Sequence, residues 1–253
     1  MKRAVLRGRR RLAAVKHQLR WSLAGMQGPE ADFWSAPYLR HTQRRLEHLA
    51  SLRLPLAGRS ILEVGAGIGD HTSFFLDRGC RVITTDARPE HAEILRRRYP
   101  GLEVHVLDLD EPDATLPLKV EIGHCYGIIY HLARPAEAIA FLARRCSSML
   151  LVETCVSLGD EFALNPVPEA ARVPSQSLRG RGCRPTRLWI YETLKKHYDR
   201  VYLPTTQPWH EEFPLDWSTA ASKGLIRAVF VASAGPLEIP GLREEIPSRQ
   251  VRH

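Results

Sequence analysis

Apolar runs of strand length alternate with segments of helical apolar spacing along the chain from residue 59 onward. Such alternation is typical of a parallel sheet with helices on both faces. A closing antiparallel pair is expected at 201–203 and 226–231. We therefore predict an α/β fold with strands at 60–64, 81–85, 103–107, 120–126 and 149–152, and helices at 70–76, 89–98, 136–143 and 186–198.

Segments of different character flank and interrupt this pattern. Residues 33–54 have the spacing of a helix, which Pro55 and Gly58 end. Residues 154–185 hold several prolines and glycines with little periodicity. We expect four parts: a basic N-terminal arm and helical extension at 1–58, a main domain at 59–235, a loop-rich insertion after strand five at 154–185, and a Pro-rich surface tail at 236–253.

The net charge of +8 is concentrated in the first twenty residues. They contain eight Lys or Arg and no acid, and subtracting eight from the 36 basic residues leaves 28, equal to the 28 acidic residues. Apolar residues within 1–20 form one stripe of a cationic helix. Two interpretations stay open: the arm docks on its own domain, or it binds RNA phosphates or an anionic membrane surface.

The composition indicates neither a membrane span nor a metal site. No apolar run approaches the ~18 residues that span a bilayer, and the cationic start lacks the apolar stretch of a secretion signal, so we expect a cytoplasmic protein. The five cysteines are scattered, which argues against a zinc site or a disulfide framework. His210, Glu211 and Glu212 are adjacent and point in different directions, so we predict no bound metal.

The strongest local signal is the segment 61–72, ILEVGAGIGDHT. A strand runs into a turn containing Gly65, Gly67 and Gly69, and then into a helix whose first N–H groups are free donors. A dinucleotide-binding turn usually has its third glycine one position later, where this chain has Asp70. A carboxylate there would repel a pyrophosphate, but it suits a cofactor that carries cationic groups.

Two further carboxylates follow the next two strands. Asp86 ends the run 81–86, RVITTD, and Asp108 follows the strand at 103–107. At the same edge of the sheet, Asp86 can accept hydrogen bonds from both hydroxyls of a ribose. Asp108 can accept from an adenine amino group, while the neighbouring amide reads a ring nitrogen. The three elements in this order are a far more specific signal than the glycines alone.

Residues 63–69 (EVGAGIG), Asp86 and Asp108 resemble the first three motifs of class I S-adenosylmethionine-dependent methyltransferases. The resemblance covers about 54–153 and, more weakly, 184–232. It implies the Rossmann-like fold of that class and S-adenosylmethionine as the cofactor. It also implies a role for each matching residue: the methionine part for Gly65, Gly67 and Gly69, its ammonium for Glu63, the ribose for Asp86, and the adenine for Asp108 and Leu109.

A narrower resemblance is carried by 124–135, HCYGIIYHLARP, and by 151–154, LVET. These segments resemble the fourth and fifth motifs of methyltransferases related to the tRNA wobble-uridine carboxymethyltransferase family. Gly123 and His124 depart from the more apolar strand expected there. A relationship of fold is implied, whereas a tRNA substrate is not.

Tyr130 and His131 follow the fourth strand, next to the position that the resemblance implies for the methyl group. Methyl transfer from a sulfonium requires alignment, and it requires a base only when the acceptor carries a proton. His131 is therefore the candidate base and Tyr130 the candidate positioning group. The alternative is that His131 caps the next helix or packs in the core.

Two other segments are candidates for acceptor binding. Arginines at 172, 179, 181, 184 and 187 either clamp an anionic group or belong to a solvated loop. The stretch 207–217, QPWHEEFPLDW, mixes aromatic and acidic residues and could form one wall of an acceptor pocket.

We predict a methyltransferase that acts on a hydroxyl or amine of a small molecule or glycan. Two alternatives stay open: an RNA (tRNA) methyltransferase that uses the basic arm, and a cofactor-binding pseudoenzyme that scaffolds a partner. The sequence does not indicate the oligomeric state, or whether the transferred group is an unmodified methyl.

Overall fold

The structure is a computed structural model that describes residues 33–219 and 224–253. The arm predicted at 1–20 lies outside this part of the chain. The helices are α1 (Ala36–Ser51), α2 (Thr72–Leu76), α3 (Pro89–Arg98), a 3₁₀ helix (Ile129–His131), α4 (Pro135–Ala143) and α5 (Arg187–Lys195). The strands are β1 (Ser60–Val64), β2 (Arg81–Asp86), β3 (Glu103–Val106), β4 (Val120–Tyr126), β5 (Cys146–Val156), β6 (Pro166–Pro168), β7 (Arg181–Cys183), β8 (Arg200–Pro204), β9 (Thr206–Gln207), β10 (Ile226–Ser233), β11 (Leu242–Arg243) and β12 (Val251–Arg252).

Eight strands form one sheet in the order β11-β8-β10-β5-β4-β1-β2-β3. Neighbours from β3 to β5 are parallel, whereas β10 is antiparallel to both β5 and β8. The predicted α/β fold and its closing antiparallel pair are confirmed. The order of the strands reverses between β1 and β4, which opens a crevice at the carboxyl ends of these strands.

The sheet is covered by an apolar layer on each face. Along β5, Met149 and Leu151 pack in the layer that contains residues of α1 and α2. The alternate residues Leu150 and Val152 pack in the layer that contains residues of α4 and α5. Because both faces are buried, the strands have the near-continuous apolar runs that the sequence shows.

The segment 236–253 lies mostly at the surface, but Leu242 and Gln250 are buried and parts of it pair with strands of the domain. Its strand β11 extends the sheet beyond β8, and β12 pairs with β9. Gln250 is buried, and its side-chain oxygen accepts hydrogen bonds from Trp217 Nε1 at 2.7 Å and from Gln207 Nε2 at 2.8 Å. Strands of two residues are too short to produce a periodic pattern, so these contacts leave no signal in the sequence.

All five cysteines are buried and free, as expected of small apolar side chains. Within 33–219 and 224–253, no helix has the length and apolar character needed to cross a bilayer.

A buried ion network fastens α1 to the sheet. Glu153 of β5 is fully buried and accepts hydrogen bonds from Arg45 Nη1 of α1 and Arg227 Nη1 of β10, each at 3.0 Å. Burial raises the pKa of Glu153, but the two guanidinium charges outweigh it and hold the pKa below its ordinary value. Arg227 Nε also donates to Glu212 at 2.5 Å, so two carboxylates balance two arginines.

We expect Glu153→Gln to lower the free energy of unfolding by about 3–5 kcal/mol, because it leaves two buried guanidinium groups without their shared carboxylate. Urea unfolding followed by circular dichroism measures this loss. Glu244→Gln is the matched control, since Glu244 pairs with Arg200 on the surface at 3.2 Å and should change stability by less than about 1 kcal/mol. Equal effects of the two substitutions would contradict the assigned role of the network.

Candidate active site

A cavity of about 620 Å³ opens at the carboxyl ends of β1, β2 and β4. Its volume lies within the roughly 300–1,000 Å³ of ligand pockets. Gly69 is the one predicted site residue that does not line it; a Cβ at that position would lie 2.7 Å from the Tyr99 ring. The cavity brings together all the others: Glu63, Gly65, Gly67, Asp86, Asp108, Leu109, Tyr130 and His131.

The glycine turn is held by the carboxylate at the end of β2. Gly67 has a φ of +57°, which glycine adopts without strain, and its N–H donates to Asp86 Oδ2 at 2.8 Å. The other oxygen of Asp86 accepts from the backbone N–H of Arg88 at 2.9 Å and lies 3.0 Å from His91 Nδ1. These contacts fix the orientation of the carboxylate at the wall of the cavity.

Glu63 lies on β1, where its partner in register on β4 is His124. The side chain is buried and accepts a hydrogen bond from Thr72 Oγ1 at 2.6 Å. Burial raises the pKa of Glu63 to about 8. The carboxyl group therefore holds a proton at neutral pH until a cation binds beside it.

Several buried polar atoms that border the cavity have no hydrogen-bond partner among the described residues: Asp70 Oδ2, both ring nitrogens of His124, and Tyr126 Oη. Asp70 Oδ1, in contrast, is paired with Arg98 Nη1 at 2.6 Å. An unpaired buried polar group costs roughly 1–3 kcal/mol. A ligand with a cationic end could donate hydrogen bonds to the unpaired carboxylate oxygen. An anionic end of the same ligand could accept them from the imidazole and phenol groups.

The lining of the cavity also contains residues that the sequence did not identify. Tyr38, His41 and Arg45 reach it from α1, and Arg227 reaches it from β10. Arg227 Nη2 donates to Tyr130 Oη at 3.3 Å, which ties the predicted positioning group to the buried network. A usable signal existed in the acid at position 153, since a charge in the middle of an apolar strand requires a buried partner.

The insertion folds over the cavity. Arg88 Nη2 donates to the carbonyl oxygens of Ala171, Val173 and Gln176 at 2.9–3.3 Å, and residues 174–178 line the cavity. Arg179 donates to Asp108 at 2.8 Å and to Glu111 at 2.7 Å. The hypothesis of an anion clamp is therefore not supported for Arg179, because its guanidinium is paired with the chain's own acids.

His131 also has a partner in the insertion, since its Nδ1 lies 2.5 Å from Glu169 Oε2. Glu169 follows β6, and nothing in the sequence marks it as a site residue. The side chain of His131 is 13% exposed and borders the cavity, whereas that of Glu169 is 2% exposed.

Two clusters among the described residues have ligand atoms within 4.8 Å of one another: His41, His210 and Glu212, and Glu63, His71 and His124. The prediction that His210 and Glu212 are poor metal ligands was based on the segment 210–212 alone. The fold brings a third potential ligand, His41 of α1, beside them. Arg227 Nε donates to Glu212 Oε2 at 2.5 Å. The guanidinium therefore already supplies the positive charge that this carboxylate needs.

No protein-family model matches the chain. An uncharacterized methyltransferase of Mycobacterium tuberculosis is 33% identical over 98 residues, which cover 36% of this chain and 37% of that protein. A probable S-adenosylmethionine-dependent methyltransferase of Mycolicibacterium smegmatis is 29% identical over 148 residues, 54% of this chain and 52% of that protein. The matches thus span about half or less of these curated relatives.

The N-terminal domain of EvdMO1, solved in the presence of SAH and D-fucose, matches 77% of this chain and 83% of its own with a TM-score of 0.58 and 18% identity. The chain has the class I methyltransferase fold. The broad resemblance seen in the sequence is thereby confirmed. The narrower one, to the tRNA wobble-uridine family, stays a prediction.

The class I fold brings Glu63 to the floor of the cavity, and its raised pKa has a consequence for stability. The unfolded chain ionises this carboxyl above its ordinary pKa of 4.5, whereas the folded chain does so only near 8. The free energy of unfolding therefore falls as pH rises through this window. We expect Glu63→Gln to remove this fall and to gain a few kcal/mol over wild type between pH 5 and pH 9.

Urea unfolding at intervals from pH 5 to pH 9 measures this difference. Glu90→Gln is the control, because Glu90 is exposed on α3 and lies outside the cavity lining. Parallel stability curves for wild type and Glu63→Gln would show that Glu63 is ionised in the folded chain at neutral pH.

Proposed function

We propose that the protein is an S-adenosylmethionine-dependent methyltransferase that transfers a methyl group to a hydroxyl or amine of a small molecule or glycan. The observation that carries the proposal is the continuity of the cavity. It runs from the glycine turn and Asp86 to Tyr130 and His131 without a break in its lining. Cofactor and acceptor would therefore meet in one continuous space.

The polar atoms of the cavity suit this cofactor. When bound, S-adenosylmethionine supplies an electrophilic methyl group on a cationic sulfonium. Its methionine end carries an ammonium and a carboxylate, which correspond to the unpaired acceptor and donor atoms of the cavity. We assign the ammonium to Asp70 and Glu63, the carboxylate to His124 and Tyr126, the ribose to Asp86, and the adenine to Asp108 and Leu109.

A small acceptor is favoured by the limited volume of the site. Residues 174–178 of the insertion and Tyr38 of α1 border the cavity from different sides, and cofactor and acceptor must share about 620 Å³. The related EvdMO1 domain was solved with a sugar, D-fucose, which agrees with an acceptor of this size. Alignment of acceptor and methyl group in such a space can supply roughly 7–11 kcal/mol of barrier reduction.

Transfer of label from methyl-labelled S-adenosylmethionine into a host extract tests the proposal. The extract is separated into RNA, protein, lipid-glycan and small-molecule fractions. Label in the small-molecule or glycan fraction supports it, whereas label confined to RNA would replace it with the RNA methyltransferase alternative. Cofactor binding without label in any fraction would favour the pseudoenzyme.

We expect Asp86→Asn to weaken the binding of S-adenosylhomocysteine by about 10- to 150-fold, or 1.5–3 kcal/mol, because charge-assisted hydrogen bonds to the ribose are lost. The amide keeps an oxygen that can accept from Gly67, so the turn should persist. Isothermal titration calorimetry measures the affinity, and thermal unfolding checks the fold. Asp77→Asn, an exposed change just after α2, should leave binding unchanged; unchanged binding in Asp86→Asn would remove the ribose assignment.

A further inference from the structure

The 3₁₀ helix after β4 and the hairpin of the insertion are joined by a contact between two ionisable side chains. His131 Nδ1 and Glu169 Oε2 are 2.5 Å apart, and both side chains are largely shielded from solvent. The two residues are 38 positions apart in sequence, so the contact exists only when the hairpin β6–β7 is folded against the 3₁₀ helix.

Glu169 is held from several sides. Its Oε2 also accepts the backbone N–H of Ser177 at 2.9 Å, and its Oε1 lies 3.3 Å from Arg184 Nη1. A Cβ on Gly182 would lie 2.9 Å from Oε1, so the backbone of β7 passes directly beside the carboxylate. The side chain therefore has one orientation, with an oxygen aimed at the imidazole.

The carboxylate decides which nitrogen of the imidazole carries the proton. Burial raises the pKa of Glu169, but the hydrogen bonds from His131 and Ser177 and the charge of Arg184 outweigh it and lower the pKa. An ionised carboxylate only accepts hydrogen bonds, so the proton must lie on Nδ1 of His131. Nε2 has no hydrogen-bond partner among the described residues, so in the neutral imidazole it is the nitrogen that carries the lone pair.

We propose that Glu169 is a positioning residue that holds His131 as the general base for a hydroxyl acceptor, so that the reaction is an O-methylation. This inference rests on the proposed function. A neutral amine attacks through its lone pair before it loses a proton, whereas a hydroxyl is a weak nucleophile until its proton begins to leave. A base fixed by a carboxylate is therefore useful to a hydroxyl acceptor.

The acceptor oxygen forms a bond to the methyl carbon as the carbon–sulfur bond breaks, and the sulfonium becomes a neutral thioether. The hydroxyl proton passes to His131 Nε2, the imidazolium is stabilised by Glu169, and the proton later leaves to water. The other titratable or charged groups around His131 are Tyr130, Arg184, Cys183, Asp110 and Arg134.

The pairing can be tested without any acceptor. In protein labelled with ¹⁵N-histidine, long-range ¹H–¹⁵N spectra report which ring nitrogen carries the proton, and His131→Gln identifies the signal. We expect a protonated Nδ1 in wild type and a changed pattern in Glu169→Gln. The control is Glu161→Gln, an exposed glutamate of the same insertion. A proton on Nε2 in wild type, or identical His131 signals in Glu169→Gln, would overturn the pairing.

The base role is tested with label transfer into the host extract over a range of pH. We expect an O-methyl product, a fall of about 10²- to 10⁴-fold in rate for Glu169→Gln, and an acidic limb of its pH profile displaced to lower pH. The affinity of Glu169→Gln for S-adenosylhomocysteine should match that of wild type. The methylation rate of the control, Glu161→Gln, should also match wild type. An N-methyl product, or an unchanged profile, would overturn the base role. Absence of any labelled product from wild type would overturn the proposed function itself, while the nitrogen spectra would still decide the pairing.

Discussion

The arrangement of the site depends on one buried carboxylate. Glu153 lies on β5 beside the end of β4, and its backbone oxygen accepts the N–H of Gly127, where the chain turns toward Tyr130 and His131. Its side chain binds one arginine from α1 and one from β10. These charges are fully desolvated, so each requires its partners in one geometry. The position of α1 over the sheet, and hence one wall of the cavity, follows from that requirement.

The roof of the cavity depends on contacts of a different kind. Arg88, just after β2, binds three backbone oxygens of the insertion, and Arg179 of the insertion binds Asp108 and Glu111 after β3. These are pairs at or near the surface, and each contributes much less than the buried network. Their main effect is on position, because they hold the hairpin where Glu169 contacts His131. The site is thus shared between the sheet and an element that carries no motif.

The sequence predicted the parts of the site that arise within one segment. The glycine turn, Asp86 and Asp108 each follow a strand, and parallel strands bring such positions to one edge. Glu169, Arg45 and Arg227 each reach the site only through long-range packing, which leaves no periodic signal in the sequence. Glu153 is intermediate, because its position in an apolar strand is a signal of a buried charge that the sequence analysis did not use, and that signal does not identify the partners. The strand pairings of the segment 236–253 were not predicted for the same reason, since its two-residue strands show no pattern.

Burial, together with the positive charge of Arg45 in the buried network, lowers the pKa of three histidines that border the cavity, His41, His71 and His124. These imidazoles are therefore neutral at physiological pH. Protonated imidazoles would repel a sulfonium cofactor, whereas neutral rings offer hydrogen bonds without that repulsion. Arg45 itself is paired with Glu153, so its charge is balanced locally while it still disfavours protonation of its neighbours. A cationic ligand can thus occupy this part of the cavity, because Arg45 and Arg227 are paired with carboxylates and His41, His71 and His124 carry no charge.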